Sequence, residues 1–484
     1  MKIPAYRHFA RFRMILLLGS LAMTSIAQAA PQPFTESEAA AIDVFLQNGF
    51  TDKDFGFVIG LIDDNGSRVF GAGHADNGTN EEVNGDTVFE IGSVTKTFTS
   101  LLLLDMVQRS ELKLDDPAAK YLPDGVTVPA YDGTEISLFN LAAQDSGLPF
   151  NADNMLDADL LTAYNAYSAE DMYAFLAGFT LPAAPGTRFE YSNLGMSLLG
   201  HVMERRAGMS YEALVVSRIL DVLGMDDTRI TLTADQQRRR AVGHDMAGER
   251  TPYYALDVMQ AAGSLNSTAN DMLEYLSAQL GFTTTPLDPL IRQTHVVLHQ
   301  GATQYGDTAL PWVDGGVYQP EGSEFLGHAG GTPGFSAFVG FDAGRRRGVV
   351  ALTNQRIQDE SGRLWPSAAV GWTILQGLPL TSANVSRPVL EMVGLGVSLA
   401  SDETSGLLRI SGVFADSPAG RAGLQAGLLI GRINGTTTEN KTIAECIALM
   451  GGPAGTPVEL ELAGPAPEEM STVVLRKAKF LTTG

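Results

Sequence analysis

The order in which apolar patterning changes along this chain constrains its fold more than any other feature. Phe57 to Ile62 and Ser67 to Gly71 flank Asp63-Asp64-Asn65-Gly66. Asn-Gly accepts the positive φ angles of a tight hairpin, so the chain is expected to open with an antiparallel pair. From Thr97 to about Leu280 the spacing becomes helical, as in Leu194, Leu198, Leu199, Val202 and Met203. Strand character returns at Gly334–Phe341 and Gly348–Thr353, with Asp342-Ala343-Gly344 turning between them. That order predicts a sheet assembled from both ends of the region, with a long helical insertion between.

With 484 residues and 44% hydrophobic content, the chain can bury two cores. Its first residues carry Lys2, Arg7, Arg11 and Arg13, then the apolar run Met14 to Ile26, then Ala27-Gln28-Ala29. This is the pattern of a secretory signal peptide, residues 1–29, with cleavage expected after Ala29. The run is too short to favour a membrane span and no longer one follows, so a soluble, exported protein, periplasmic or secreted, is expected, with no transmembrane segment in the mature chain. No cysteine follows the signal run to carry a lipid, and Cys446, the single cysteine, can form no internal disulfide. The net charge of −22 repels nucleic acid and anionic lipid, which removes both as partners.

Ser93 and Lys96 stand at the mouth of an apolar helix. Positions i and i+3 share a helix face, and free backbone N–H groups at a helix start tolerate developing negative charge. A serine there can attack a carbonyl with the lysine as base, if burial or a neighbouring cation lowers the lysine pKa. Ser-x-x-Lys is a weak pattern, and Ser93 as a plain N-cap is the competing reading. A second copy, Ser110-Glu111-Leu112-Lys113, lies among charged residues where its lysine is solvated. Two more elements join the first. Tyr191-Ser192-Asn193 precedes a helix and places a phenol and an amide two residues apart. Gly327-His328-Ala329-Gly330-Gly331-Thr332-Pro333-Gly334 enters the strand that begins at Gly334, and its glycines allow close backbone approach, with the Gly331 amide available to pair with that of Ser93 in an oxyanion hole. His299-Gln300-Gly301 is a further His-x-Gly, read as opening no strand.

Together, Ser93-Val94-Thr95-Lys96, Tyr191-Ser192-Asn193 and His328-Ala329-Gly330 resemble the three active-site motifs of the penicillin-recognising serine hydrolases. Class C β-lactamases, serine D-Ala-D-Ala carboxypeptidases and related esterases and D-aminopeptidases are nearest by pattern. Gln144–Pro149, Pro185–Phe189, Leu223–Thr228 and Gly263–Ala269 also resemble family landmarks. The resemblance implies an α/β catalytic domain over 34–377, an antiparallel sheet flanked by helices plus an all-helical subdomain. It also implies an acyl-enzyme formed by Ser93, with Lys96 and Tyr191 sharing the proton transfers. Asn193, His328, Gly330 and Gly331 would contact substrate: a cell-wall peptide, a β-lactam or a small ester. No cofactor or metal is implied. Many relatives carry lysine where this chain has His328. A histidine with an ordinary pKa of about 6.5 is mostly neutral at pH 7.5, so weaker carboxylate recognition is expected, favouring peptides, esters or D-amino-acid substrates over efficient β-lactam turnover.

Residues 378–387 read as a linker. Beyond them, 388–480 resembles a small β-rich PDZ domain of the exported-protease type. Gly394-Leu395-Gly396-Val397 would be its carboxylate-binding loop, capturing a peptide C-terminus beside an added strand. Ser417 to Gly427, Ile433-Asn434-Gly435 and a helix from about Thr442 to Met450 complete the likeness, while Leu428 stands where aspartate is common. A β-rich domain that only packs against the catalytic unit is the competing reading.

Metal hydrolysis has one candidate pair, His295 and His299, without a His-Glu-x-x-His context; both are read as helix-surface histidines. No dinucleotide fingerprint is present. A non-catalytic exported peptide-binding protein is the remaining alternative, and it has no need of an activated serine.

Overall fold

The computed structural model describes residues 31–484 except 52, 156–163, 246, 255, 304–305, 314–322, 357–365, 381–388, 403–404, 414–416, 440, 442, 453–454, 464–469 and 484. The expected signal peptide and most of the expected linker therefore lie outside the described residues.

A helix precedes the expected hairpin. α1 (Glu36–Phe50) starts at a capping box in which Thr35 and Glu38 satisfy each other's backbone N–H groups, and it buries Ala39, Ile42, Leu46 and Phe50. The hairpin follows as β1 (Gly56–Asp63) and β2 (Gly66–Gly73). Their register pairs Asp63 with Gly66, so Asp64 and Asn65 form the turn. Of Asn65 and Gly66, Gly66 alone takes the positive φ, 108°. The turn thus sits one residue earlier than the Asn-Gly signal implies.

α2 (Thr95–Gln108) then enters the core. Every residue from Thr95 to Met106 is buried, as expected of a helix apolar on all sides. Its polar side chains bond inward: Thr99 Oγ1 donates to Ala261 O at 2.7 Å and meets the Tyr211 hydroxyl at 2.8 Å. The helical insertion continues through α3 (Asn193–Ala207) and α4 (Ala269–Gln279) with shorter helices between.

The sheet is completed by β3 (Phe325–Gly331), β4 (Ser336–Asp342) and β5 (Arg347–Thr353), in the order β2-β1-β5-β4-β3. The N-terminal hairpin pairs with strands almost three hundred residues on, Ile59 facing Ala351. The His328–Gly331 segment does not simply lead into a following strand; it belongs to β3, antiparallel to β4, with Val339 facing His328 and Ser336 facing Gly331. His299 also stands in a strand, His299–Thr303, paired with Gly306–Thr308. The expectations that it opens no strand and lies on a helix surface are both incorrect.

Both sheet faces are covered. Phe57, Ile59, Leu61, Phe338 and Val349 meet α1 and α5 (Pro366–Gln376) through Ile42, Leu46, Val370 and Leu375. Val58, Val339, Phe341, Val350 and Leu352 join the larger core that holds α2, α3 and α4. Each strand alternates its apolar side chains between these two cores, so near-continuous apolar runs are stable here.

A further unit has its own core, including Leu395, Leu408, Ile410, Ile430, Ile433, Cys446, Val458 and Leu460. Its strands are β6 (Val389–Gly394), β7 (Val397–Ser401), β8 (Leu408–Val413), β9 (Leu429–Ile433), β10 (Pro457–Ala463), β11 (Met470–Arg476) and β12 (Ala478–Thr483), with α6 (Ile443–Leu449). The main sheet runs β7-β8-β9-β10-β11, and β6 pairs with β12. The helix expected from Thr442 to Met450 is α6. Among the described residues no helix is long and apolar enough to cross a membrane.

Candidate active site

Ser93 lies in a 3₁₀ turn, Gly92–Val94, that feeds α2. It is not an N-cap: the residue preceding α2 is Val94, and no side chain caps either the turn or the helix. Two neighbours hold this turn. Phe89 and Glu90 pair with Ser267 and Asn266, and Ile91 N–H donates to Leu265 O at 3.0 Å, so the Gly263–Ala269 landmark braces it from one side. β3 braces it from the other. A Cβ on Gly330 would fall 1.9 Å from Ile91 O and 3.1 Å from Ser93 N, and one on Gly92 2.6 Å from Gly331 N. Gly92 also has a φ of +49°. Only glycines permit this approach of two backbones, which sets the Gly330–Gly331 backbone against that of Ile91–Ser93.

Lys96 is completely buried and meets three acceptors: Ser93 Oγ at 3.0 Å, Asn193 Oδ1 at 2.8 Å and Ala262 O at 2.7 Å. Burial holds its pKa well below the usual lysine value. In the neutral amine two N–H groups remain. Asn193 Oδ1 and Ala262 O can only accept, so they take both donors, and the lone pair is left facing the Ser93 hydroxyl. The arrangement can therefore remove a proton from Ser93.

Burial pushes the pKa of the Tyr191 phenol above the ordinary tyrosine value, and the nearby Ser93 hydroxyl offsets only part of that rise. The Tyr191 ring centroid lies 4.9 Å from Lys96 Nζ. The loop carrying it is fixed by the Gln144–Pro149 landmark: Ser192 N–H donates to Gln144 Oε1 at 2.5 Å, and Ser192 Oγ to Pro149 O at 2.6 Å. Ser192, rather than Asn193, is the N-cap of α3, accepting from Gly195 N–H at 2.8 Å. Asn193 is thereby free to point its amide into the site. Its Nδ2 donates to Tyr164 Oη at 3.2 Å and Asn151 Oδ1 at 3.3 Å.

His328 is buried, and its ring centroid is 6.4 Å from that of Tyr191. Its Nδ1–H donates to Ala329 O at 2.7 Å, which leaves Nε2 as an acceptor. Desolvation pulls the His328 pKa down to about 3, so the ring is neutral across the working pH range.

The structure thus gathers Ser93, Lys96, Tyr191, Asn193, His328, Gly330 and Gly331 into one locality. Ser110 and Lys113 are exposed and take no part. Residues that sequence reading missed are the Ala262 carbonyl, which has no side-chain signature, and Asn151 and Tyr164, which lack any motif. Phe150 was also missed: it is exposed and stacks on Tyr191 at 5.8 Å between centroids. Among the described residues no group of three or more His, Cys, Asp or Glu is placed to hold a metal.

Gly394 ends β6, Val397 opens β7, and Leu395 and Gly396 connect them. Leu395 is buried, Leu395 O accepts from Ala419 N–H at 2.8 Å, and Gly396 has a φ of 78°.

The family model described as Beta-lactamase matches residues 50–370, well over half of the chain and every one of these catalytic-unit residues. The chain belongs to the Beta-lactamase family. The D-alanyl-D-alanine-carboxypeptidase/endopeptidase AmpH of Escherichia coli (strain K12) is 34% identical over 279 residues, 56% of this chain and 68% of its own. A Beta-lactamase of Pseudomonas fluorescens is 29% identical, over 62% of this chain and 88% of its own. The solved D-alanine carboxypeptidase AmpC of Burkholderia cenocepacia superposes with a TM-score of 0.57 at 25% identity, covering 71% of this chain and 99% of that one. The protein is a serine hydrolase with the β-lactamase/transpeptidase-like α/β fold.

Proposed function

We propose that this enzyme is an exported carboxypeptidase that removes the terminal residue from D-Ala-D-Ala peptides through an acyl-enzyme at Ser93. Support for the nucleophile comes chiefly from Lys96, whose two obligatory acceptors leave its lone pair on the Ser93 hydroxyl. Ser93 Oγ attacks the peptide carbonyl and its proton passes to Lys96 Nζ. The amides of Ser93 and Gly331 receive the oxyanion. Tyr191, kept protonated by burial, gives its proton to the leaving amine and is recharged from Lys96. Water then attacks the acyl carbon, the Lys96–Tyr191 pair takes its proton, and Ser93 Oγ is reprotonated on release. Asn193 Nδ2 orients the acyl chain by exchanging one of its contacts, with Tyr164 or Asn151, for the substrate. Two of the relatives named above, AmpH of Escherichia coli and AmpC of Burkholderia cenocepacia, are carboxypeptidases by name and support the peptide substrate, and the Met14–Ile26 run with Ala27-Gln28-Ala29 supports export.

A neutral His328 supplies no cation, which favours peptides or esters over β-lactams. The test is intact-mass kinetics with a D-Ala-D-Ala peptide, a cephalosporin and a short-chain ester, alongside fluorophosphonate labelling. Release of D-Ala with labelling of Ser93 is expected. Ester turnover alone points to the related esterases, cephalosporin hydrolysis near the diffusional ceiling overturns the preference, and an unlabelled Ser93 leaves a peptide-binding protein.

For the C-terminal unit we propose PDZ-like capture of a peptide C-terminus. Among the described residues β7 is an edge strand, paired with β8 alone, and α6 packs beside it. Such an edge accepts an added strand, with the Gly394–Val397 connection at its end. Calorimetry of the full chain against a C-terminal peptide library, with no binding that Gly396→Val abolishes, removes this reading.

A further inference from the structure

Two features that the sequence marks out, His299 and the Gln144–Pro149 landmark, hold no reacting atom, yet the fold joins them. His299 Nε2 lies 3.1 Å from Asp145 Oδ2, with the Asp145 side chain only 3% exposed and that of His299 20%. The ring nitrogen is enclosed and its N–H runs obliquely to the carboxylate, so this is a close polar contact rather than an aligned hydrogen bond. Asp145 Oδ1 accepts from Asn140 Nδ2 at 2.8 Å. Burial pushes the Asp145 carboxyl above its usual value, against the pull of Asn140 and His299.

Asp145 belongs to the mount of the Tyr191 loop. Gln144 O accepts from Glu190 N–H at 2.6 Å and Gln144 Oε1 from Ser192 N–H at 2.5 Å, so Gln144 holds both neighbours of Tyr191. It does so at a φ of 59°, a conformation that is costly for a residue with a side chain and persists only where the surroundings enforce it. Asp145 provides that enforcement. Its N–H donates to Asn140 O at 3.0 Å, its carbonyl accepts from Gly186 N–H at 2.8 Å, and its carboxylate faces Asn140 and His299. His299 also reaches the loop directly, its ring centroid lying 6.2 Å from that of Phe189, two residues before Tyr191. On its other side His299 is tied to the sheet. It faces Thr308 in register, Thr308 bridges to Val313, and Val313 and Gly327 of β3 exchange two backbone hydrogen bonds of 3.0 Å. His299 therefore connects the strand that carries Gly330 and Gly331 to the loop that carries Tyr191, two walls of the cleft around Ser93.

We propose that His299 is a positioning residue for Tyr191, fixing through Asp145 and Phe189 the loop that sets the phenol beside Ser93, and tying that loop through Thr308 and Val313 to β3. In acylation the bond from Ser93 Oγ to the carbonyl carbon forms, the bond to the leaving atom breaks, and the Tyr191 proton goes to that atom; this step rests on the reading of Tyr191 as proton donor. A displaced phenol then penalises leaving groups according to their need for a proton. An alkoxide or an amine departs slowly without one, whereas a nitrophenolate departs unaided.

The test compares the full-length wild type with His299→Ala, His299→Gln, Tyr191→Phe and the double variant Tyr191→Phe/His299→Ala, on a nitrophenyl ester and an alkyl ester of one acyl group. Both esters give the same acyl-enzyme, so kcat/KM compares acylation alone. His299→Ala is expected to lower kcat/KM by about 10- to 100-fold for the alkyl ester and by no more than about threefold for the nitrophenyl ester. His299→Gln, which keeps a polar tip towards Asp145, should recover part of the loss. In the Tyr191→Phe background, His299→Ala should cost nothing further. Where Tyr191→Phe shows the alkyl-selective loss, equal losses of His299→Ala on the two esters indicate a structural role and overturn the proposal. An unchanged alkyl-ester rate overturns it too, as does a double variant whose loss is the product of the single losses. If Tyr191→Phe slows both esters equally, the proton-donor reading falls, while the double variant still decides whether His299 acts through Tyr191.

Discussion

Helix α2 has a Ser-x-x-Lys sequence at each end, and the two have opposite surroundings. At the N-terminal end Ser93 sits in the turn before the helix, and Lys96 is sealed from solvent among Ser93, Asn193 and Ala262. At the C-terminal end Ser110 has left the helix with a φ of 61°, and Lys113 is exposed, its backbone N–H held by Asp116 at 2.9 Å. The same residue types at the same spacing therefore meet different physics. Lys96 is a base because the core removes water from it; Lys113 keeps its water. Reactivity is a property of the insertion and the sheet closing over one end of the helix, and the spacing contributes only proximity.

The largest expected difference comes from removing each hydroxyl. Ser93→Ala should lower kcat/KM by at least about a thousandfold and abolish fluorophosphonate labelling, whereas Ser110→Ala should alter neither. Label remaining on Ser93→Ala at wild-type stoichiometry would place the nucleophile elsewhere. A smaller effect probes the strand that covers the reactive end. Gly330→Ala puts a methyl 1.9 Å from Ile91 O, so the turn and β3 must separate; a loss of about a hundredfold in kcat is expected, with near-UV dichroism checking that the sheet persists. Full activity would mean that β3 does not set the oxyanion amides. The gentlest probe is pH. Lys96 acts only when neutral and its pKa is depressed, so kcat/KM should rise with pH through that depressed value, with no inflection at the ordinary lysine position. Tyr191, shifted upward, should cause no alkaline loss below its ordinary value. Stability carries the same sign. Between the folded and unfolded lysine pKa values the unfolded chain binds the extra proton, so this contribution grows as pH rises across that window and is lost as pH falls. An acid limb that survives unchanged in a Lys96→Met variant with residual turnover would deny Lys96 its role.

Much of this was legible. The hairpin, the return of strands after a helical insertion and the grouping of three motifs all follow from local chemistry: Gly66 for its turn, apolar alternation for the strands, and residue types suited to acyl transfer. α1 was legible too, through Thr35, Glu38 and the spacing of Ile42, Leu46 and Phe50, but its cap was overlooked beside the hairpin. β3 was harder. Gly327, Gly330 and Gly331 argue against a strand by propensity, and only the demand for close backbone approach explains them. His299 was misplaced because a lone His-x-Gly carries no period. Ala262 acts through its carbonyl, a property that is not written in a residue type.

The distance along the chain between the two halves of the reactive end has a consequence for biosynthesis. Ser93 and Lys96 emerge from the ribosome more than two hundred residues before β3 supplies Gly331 and the closing glycines. A nascent or truncated chain ending short of β3 holds its hydroxyl without the second amide, so hydrolytic competence arrives only when the sheet closes. The enzyme is inert while threadlike and becomes hydrolytic only once complete.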